Sequence, residues 1–152
     1  MKPSFEDLKG KVCVITGGSG VLGKGLCDGL ASVGVQVAIL GRRKEAVEEV
    51  ASHLRTKFDT KAIGVAADVL DKSALLPARD VIHSQLGKVD ILINCAGGNA
   101  PEATTKVEYL HEETANDLSK TFYGLELDGF RKVFDLNFLG TILPMIVFTP
   151  DM

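Results

Sequence analysis

The sequence predicts a doubly wound α/β domain built on a parallel sheet, and three observations carry that prediction. Four compact apolar runs, Lys11 to Thr16, Val35 to Leu40, Lys61 to Ala66 and Val89 to Asn94, recur at intervals of roughly 25 residues. Between them lie apolar residues at helical spacing: Leu22, Leu26 and Leu30, then Val47, Val50, Ala51, Leu54 and Phe58, then Leu75, Ala78, Ile82 and Leu86. The first run ends in a cluster of glycines. Strands that are nearly continuous apolar runs need cover on both faces, and parallel strands need a crossover helix. The βαβαβαβ order therefore reads as one parallel sheet between two helical layers.

Composition narrows the function classes. A chain of 152 residues with 45% hydrophobic and 24% charged residues can bury one sizeable core, so residues 1–152 read as a single domain. The formal net charge of -3, with Arg42-Arg43-Lys44 as the basic cluster, leaves no broad positive field for nucleic acid or an anionic membrane. The longest apolar tract, Phe138 to Phe148, is broken by Gly140, Thr141 and Pro144 and falls short of the roughly 20 residues a membrane span needs. Met1 to Asp7 has no apolar signal core, and a cytoplasmic location is the expectation. Cys13, Cys27 and Cys95 are far apart in sequence and form no ligand pair, so they read as buried reduced thiols. His53, His83 and His111 are isolated among polar residues; no metal site is expected.

The remaining elements are less regular. Pro77 leaves the start of the third helix open, because proline is comfortable in a first turn alone. Gly98 to Asp128 is polar and aperiodic, and reads as a long surface loop or small insertion. From Gly129 onward Phe130, Val133, Phe134, Leu136 and Phe138 suggest a helix starting near an Asp128 cap. Pro144 should bend it by pressing on the carbonyl of Gly140.

The glycine cluster carries the first functional reading. Gly18-Ser19-Gly20-Val21-Leu22-Gly23, preceded by Gly17, fits G-x-G-x-x-G directly after the first strand and at the start of the first helix. That placement suits a Rossmann-type dinucleotide site: glycines admit a pyrophosphate to the backbone, and the unpaired helix amides donate to it. A plain tight turn is the alternative. After the second strand, where such a fold meets the adenosine ribose, stand Gly41-Arg42-Arg43 with no acid to accept from a 2′-hydroxyl. A guanidinium there can pair with a 2′-phosphate, so NADP(H) is the expected cofactor, with NAD(H) open and solvated charges heading a helix as the bland reading.

With these residues the chain resembles the short-chain dehydrogenase/reductase family. The family's commoner spacing is T-G-x-x-x-G-x-G; here Thr16 to Gly23 reads T-G-x-x-G-x-x-G with Val21 at the usual glycine, a spacing similar to the extended members that include sugar-nucleotide epimerases. Asn94-Cys95-Ala96-Gly97 resembles the N-N-A-G signature, with Cys95 for the second Asn, and argues against the epimerases. The resemblance implies that Asp68 and Val69 lie against the adenine, although Asp68 could equally cap or turn the chain before the next helix. It further implies that Asn94, Ala96 and Gly97 line the nicotinamide ribose, and that Asn137 is the Asn of the Asn-Ser-Tyr-Lys tetrad, holding a water that relays protons. The Tyr and Lys of Y-x-x-x-K have no match, since Tyr109 is followed four residues on by Glu113 and Tyr123 by Leu127. The expectation is an incomplete catalytic site: an inactive fragment of a protein roughly 100 residues longer, with strand Val89 to Asn94 as an open sheet edge.

The stretches from Gly97 to Thr105 and from Asn137 to Pro144, with the polar segment between, resemble the D-mannonate oxidoreductase (fructuronate reductase) branch. That implies hydride transfer on a sugar acid by a homo-oligomer. A non-catalytic nucleotide-binding module and a sugar-nucleotide epimerase are the other readings.

Overall fold

The computed structural model describes residues 5–112 and 116–152; Met1 to Ser4 and Glu113 to Ala115 lie outside them. Four parallel strands, β1 (Val12–Thr16), β2 (Gln36–Gly41), β3 (Ala62–Ala66) and β4 (Ile91–Asn94), form one sheet in the order β3-β2-β1-β4. Crossovers run through α1 (Val21–Ser32), α2 (Lys44–Phe58) and α3 (Lys72–Gln85). The side-chain alternation of β1 divides the core. Cys13 and Ile15 pack with Cys27 and Ala31 of α1 and Val47, Ala51 and Leu54 of α2, while Val12 and Val14 share the opposite face with Leu75 and Ile82 of α3. Both faces of the sheet are covered, which is why its central strands could be apolar throughout.

Several boundaries differ from the sequence expectation, each for a local reason. β4 begins at Ile91 rather than Val89 because the Asp90 carboxylate takes the Val12 amide at 2.9 Å and Lys11 Nζ at 2.8 Å. The third helix starts at Lys72, capped by Asp71, whose carboxylate accepts from the Ser73 and Ala74 amides. Pro77 is thus tolerated inside the helix; it lies on the exposed side, where the carbonyl it leaves unpaired can meet water.

The polar segment is held by short 3-10 turns at Pro101–Ala103, Leu118–Lys120 and Phe122–Gly124. It leads into α4 (Leu127–Phe134). The expected Asp128 cap is corrected: Glu126 precedes the helix without a side-chain cap, and Asp128 pairs with Arg131 at 2.8 Å. Tertiary contact sets this start, since the Glu126 amide donates to Glu102 O and a Cβ on Gly129 would stand 2.8 Å from the Ala103 nitrogen. A π turn at Asp135–Leu139 joins α4 to α5 (Gly140–Phe148), which contains Pro144. The departure from α geometry therefore falls ahead of Gly140, the residue whose carbonyl the Pro144 ring crowds. Val147 and Phe148 are buried against α3 and β4, whereas Phe134 and Phe138 are 69% and 61% exposed. No helix among the described residues is long and apolar enough to cross a membrane.

Candidate functional site

At the carboxyl ends of the strands the chain encloses an open cleft of about 620 Å³. Its floor is the β1–α1 turn. The Gly17 amide donates to Leu40 O at 2.8 Å, and the Gly20 amide returns to Gly17 O at 2.9 Å. Gly17 has φ +66°, and a Cβ there would press on the Ala96 backbone at 2.8 Å. Gly23 is more restricted still, with its Cβ position 2.7 Å from Gly18 Cα and closer yet to Gly17 O. Gly20 caps α1 without a side-chain hydrogen bond, so the first amides of the helix remain available to an anion at its N-terminus.

One end of the cleft is Gly41, Arg42, Arg43, Ala67, Asp68 and Val69; the other is Cys95, Ala96, Gly97 and Leu136. Twelve of the fourteen expected cofactor-binding residues share this lining: Gly17, Ser19, Gly20, Val21, Leu22, Gly23, Arg42, Arg43, Asp68, Val69, Ala96 and Gly97. The side chains of Arg42 and Arg43 are exposed and make no ion pair or hydrogen bond among the described residues. Asp68 Oδ1 accepts from the Leu70 amide at 3.0 Å, which makes it a turn carboxylate; the helix cap belongs to Asp71.

Three expected residues lie outside the cleft wall. Gly18 is buried beneath the turn, where a Cβ would sit 2.8 Å from Ile39 Cγ2 and 3.4 Å from Cys27 Sγ, so it is a packing glycine. Asn94 is half-buried, and its Oδ1 has no hydrogen-bond partner among the described residues. Asn137 sits in the π turn, its side chain committed to backbone: Oδ1 accepts from the Gly98 amide at 3.1 Å, and Nδ2 donates to Gly98 O at 2.8 Å and Val133 O at 2.9 Å. Gly97 must be glycine beside it, because a Cβ would stand 2.6 Å from Asn137 Oδ1. The Asn137 carbonyl accepts from the Thr141 hydroxyl at 3.0 Å.

Sequence reasoning missed Thr16. Fully buried, its hydroxyl accepts from the Cys95 and Ala96 amides, both at 3.1 Å, and so fixes the end of β4 against the glycine turn. Its one local signal was a polar residue closing an apolar strand. Leu136 was missed as well, since its place in the cleft depends on strands distant in sequence, while Gly41, Ala67 and Cys95 line the wall beside residues the sequence had singled out. Burial pushes the Cys13 and Cys27 thiols up to about 12, so neither is a nucleophile near neutral pH. Among the described residues no group of three or more His, Cys, Asp or Glu could hold a metal ion.

Residues 11–152 match the family described as short chain dehydrogenase. The chain belongs to that family. An uncharacterized oxidoreductase of Bacillus subtilis (strain 168), UxuB, is 43% identical over 152 residues, covering 100% of this chain and 53% of the relative. A solved Haemophilus influenza protein, a proposed D-mannonate oxidoreductase with bound NAD, superposes with a TM-score of 0.89 at 38% identity over 95% of this chain and 51% of the other. L-sorbose reductase from Gluconobacter frateurii, solved with NADPH and L-sorbose, gives 0.71 at 26% identity over 95% and 48%. This chain therefore spans about half the length of the relatives it matches.

Proposed function

We propose that this chain is the dinucleotide-binding part of an NAD(P)-dependent oxidoreductase acting on a sugar acid, interconverting D-fructuronate and D-mannonate. The observation that carries the reading is the convergence of the twelve residues on one cleft at the carboxyl ends of parallel strands, beside an uncapped helix N-terminus. Gly17 and Gly23 let the turn pack tightly, since a Cβ there would collide with the Ala96 backbone or with Gly17 and Gly18, and that packing holds the α1 amides at the floor of the cleft. In this reading the amides of the turn and of α1 hold the pyrophosphate, Asp68 and Val69 flank the adenine, and Ala96 and Gly97 leave space for the nicotinamide ribose. Bound nicotinamide dinucleotide supplies the hydride. The unpaired Arg42 and Arg43 favour NADPH over NADH by meeting a 2′-phosphate.

Asn137 aligns the loop after β4 through Gly98. Proton donation needs an acid beside the hydride acceptor, and this stretch has no Y-x-x-x-K; we expect residues 1–152 to bind cofactor without turning over ketones. The bound NAD and NADPH of the relatives support a nicotinamide ligand. The sugar acid rests on the likeness to the Haemophilus protein, and the expected homo-oligomer on the exposure of Phe134 and Phe138, which sedimentation velocity checks. A cytoplasmic location goes with this reading.

The decisive experiment is Arg42→Asp, with NADPH and NADH affinities measured by calorimetry. The expected result is a fall of at least about tenfold in the NADPH:NADH preference, roughly 1.4 kcal/mol. An unchanged ratio removes the selector role. For the whole protein, loss of NAD(P)H absorbance with D-fructuronate tests the substrate, and inertness toward it removes the sugar-acid assignment.

A further inference from the structure

The start of α5 rests against a residue of the cleft wall. Gly140 is buried, and its backbone, with φ -64° and ψ -12°, is one that any residue adopts. Glycine is the poorest helix former apart from proline, so neither conformation nor propensity accounts for it. Space does. A Cβ at this position would stand 3.0 Å from Val69 Cγ2, inside the roughly 3.5–4.0 Å of favourable carbon contact, with Leu136 Cδ1 next at 3.8 Å.

Val69 belongs to a turn from Asp68 to Asp71, closed by the Asp71 amide on Asp68 O at 3.1 Å and by the Leu70 amide on Asp68 Oδ1 at 3.0 Å. Asp68 and Val69 line the cleft, and Gly140 does not. The helix is pinned on both sides of Gly140. Three residues before it Asn137 is bonded to Gly98 after β4, and beyond it Val147 and Phe148 are buried in the core. An atom added at Gly140 therefore displaces the Asp68 to Asp71 turn rather than the helix.

Resting on the dinucleotide reading above, we propose that Gly140 is a positioning residue for the adenosine end of the cofactor: by presenting no side chain it lets α5 seat on Val69, and so sets where Asp68 and Val69 stand against the ligand. Its effect passes through one contact, to Val69 Cγ2. Removing that atom should release the constraint.

The test titrates the 152-residue chain with adenosine 2′-monophosphate by calorimetry and follows the Leu70 and Asp71 amides by NMR without ligand. Gly140→Ala should shift both amide resonances and weaken adenosine 2′-monophosphate by about threefold to tenfold. Val69→Ala weakens binding on its own account, but adding Gly140→Ala to it should change the affinity by less than about twofold, a non-additivity that a general loss of stability does not give. Unchanged binding by Gly140→Ala would overturn the proposal, as would an equal loss in the two backgrounds. Should Gly140→Ala alone not fold, the Val69→Ala background decides: a further loss beyond about threefold there overturns it. If the unaltered chain binds neither NADPH nor adenosine 2′-monophosphate, the dinucleotide reading fails and the ligand role of Gly140 with it, whereas unshifted Leu70 and Asp71 amides overturn the positioning alone.

Discussion

The floor of the cleft and its end after β4 are built by different means. The glycine turn rests on β1, all five of whose residues are buried, and is closed by backbone contacts: Gly20 to Gly17, Gly23 against Gly17 and Gly18, and Gly17 to Leu40 O and against Ala96. The end formed by Cys95, Ala96 and Gly97 rests on β4, a half-buried edge strand, and is held by side chains reaching across the chain. Thr16 grips Cys95 and Ala96 from 79 and 80 residues away, and Asn137 grips Gly98 from 39. The floor is therefore rigid through sterics that tolerate no added atom. The other is positioned by hydrogen bonds, several of them solvent-exposed, each worth about 0.5–1.5 kcal/mol. In a dinucleotide enzyme that division separates an anion cradle from the end where reactive groups must be aligned.

Gly23→Ala should break this contrast most severely, because its Cβ would overlap backbone that cannot rotate away. Overpacking of this kind costs about 1–3 kcal/mol, and dinucleotide affinity should fall by more than about a hundredfold. Calorimetry and thermal melting measure the two effects; retention of wild-type affinity would show that the turn yields where we describe it as rigid.

Asn137→Ala tests the end after β4. Losing three hydrogen bonds should cost about 1–2 kcal/mol, less than their sum because water replaces some of them. Hydrogen exchange should quicken at Gly98 and across 127–139 while β1 to β3 stay protected. If protection falls in all strands alike, the floor and this end are one cooperative unit and the contrast is lost.

The smallest effect concerns acid. The bond from Lys11, then that from the Val12 amide, holds the Asp90 carboxyl below its usual range, and Lys57 foremost does the same for Asp28. A folded pKa lowered in this way gives stability that is present above the unfolded value, about 3.9, and is lost as pH falls through the folded value. The melting temperature should be level from pH 7 to about 5 and decline below about 4. Asp90→Asn should flatten part of that decline and shift neutral-pH stability only slightly, as suits an exposed pair. A decline equally steep in the variant would assign the acid limb to other carboxylates.

By itself the sequence determined the parallel α/β architecture, the glycine turn after β1, the arginines after β2 and the small residues after β4. Each is a local pattern, set by strand or helix period or by glycine demand within a few residues. Tertiary structure decided the rest. It sorted Gly18 into the core and its neighbours into the cleft, and gave Thr16 its two amides. It also passed the cap before α3 from Asp68 to Asp71, started α4 after Glu126 by docking the Pro101–Ala103 turn, and set the widened turn around Asn137 ahead of Pro144. These outcomes depend on which backbone groups meet across the sheet and along its edge, and neither spacing nor composition contains that pairing.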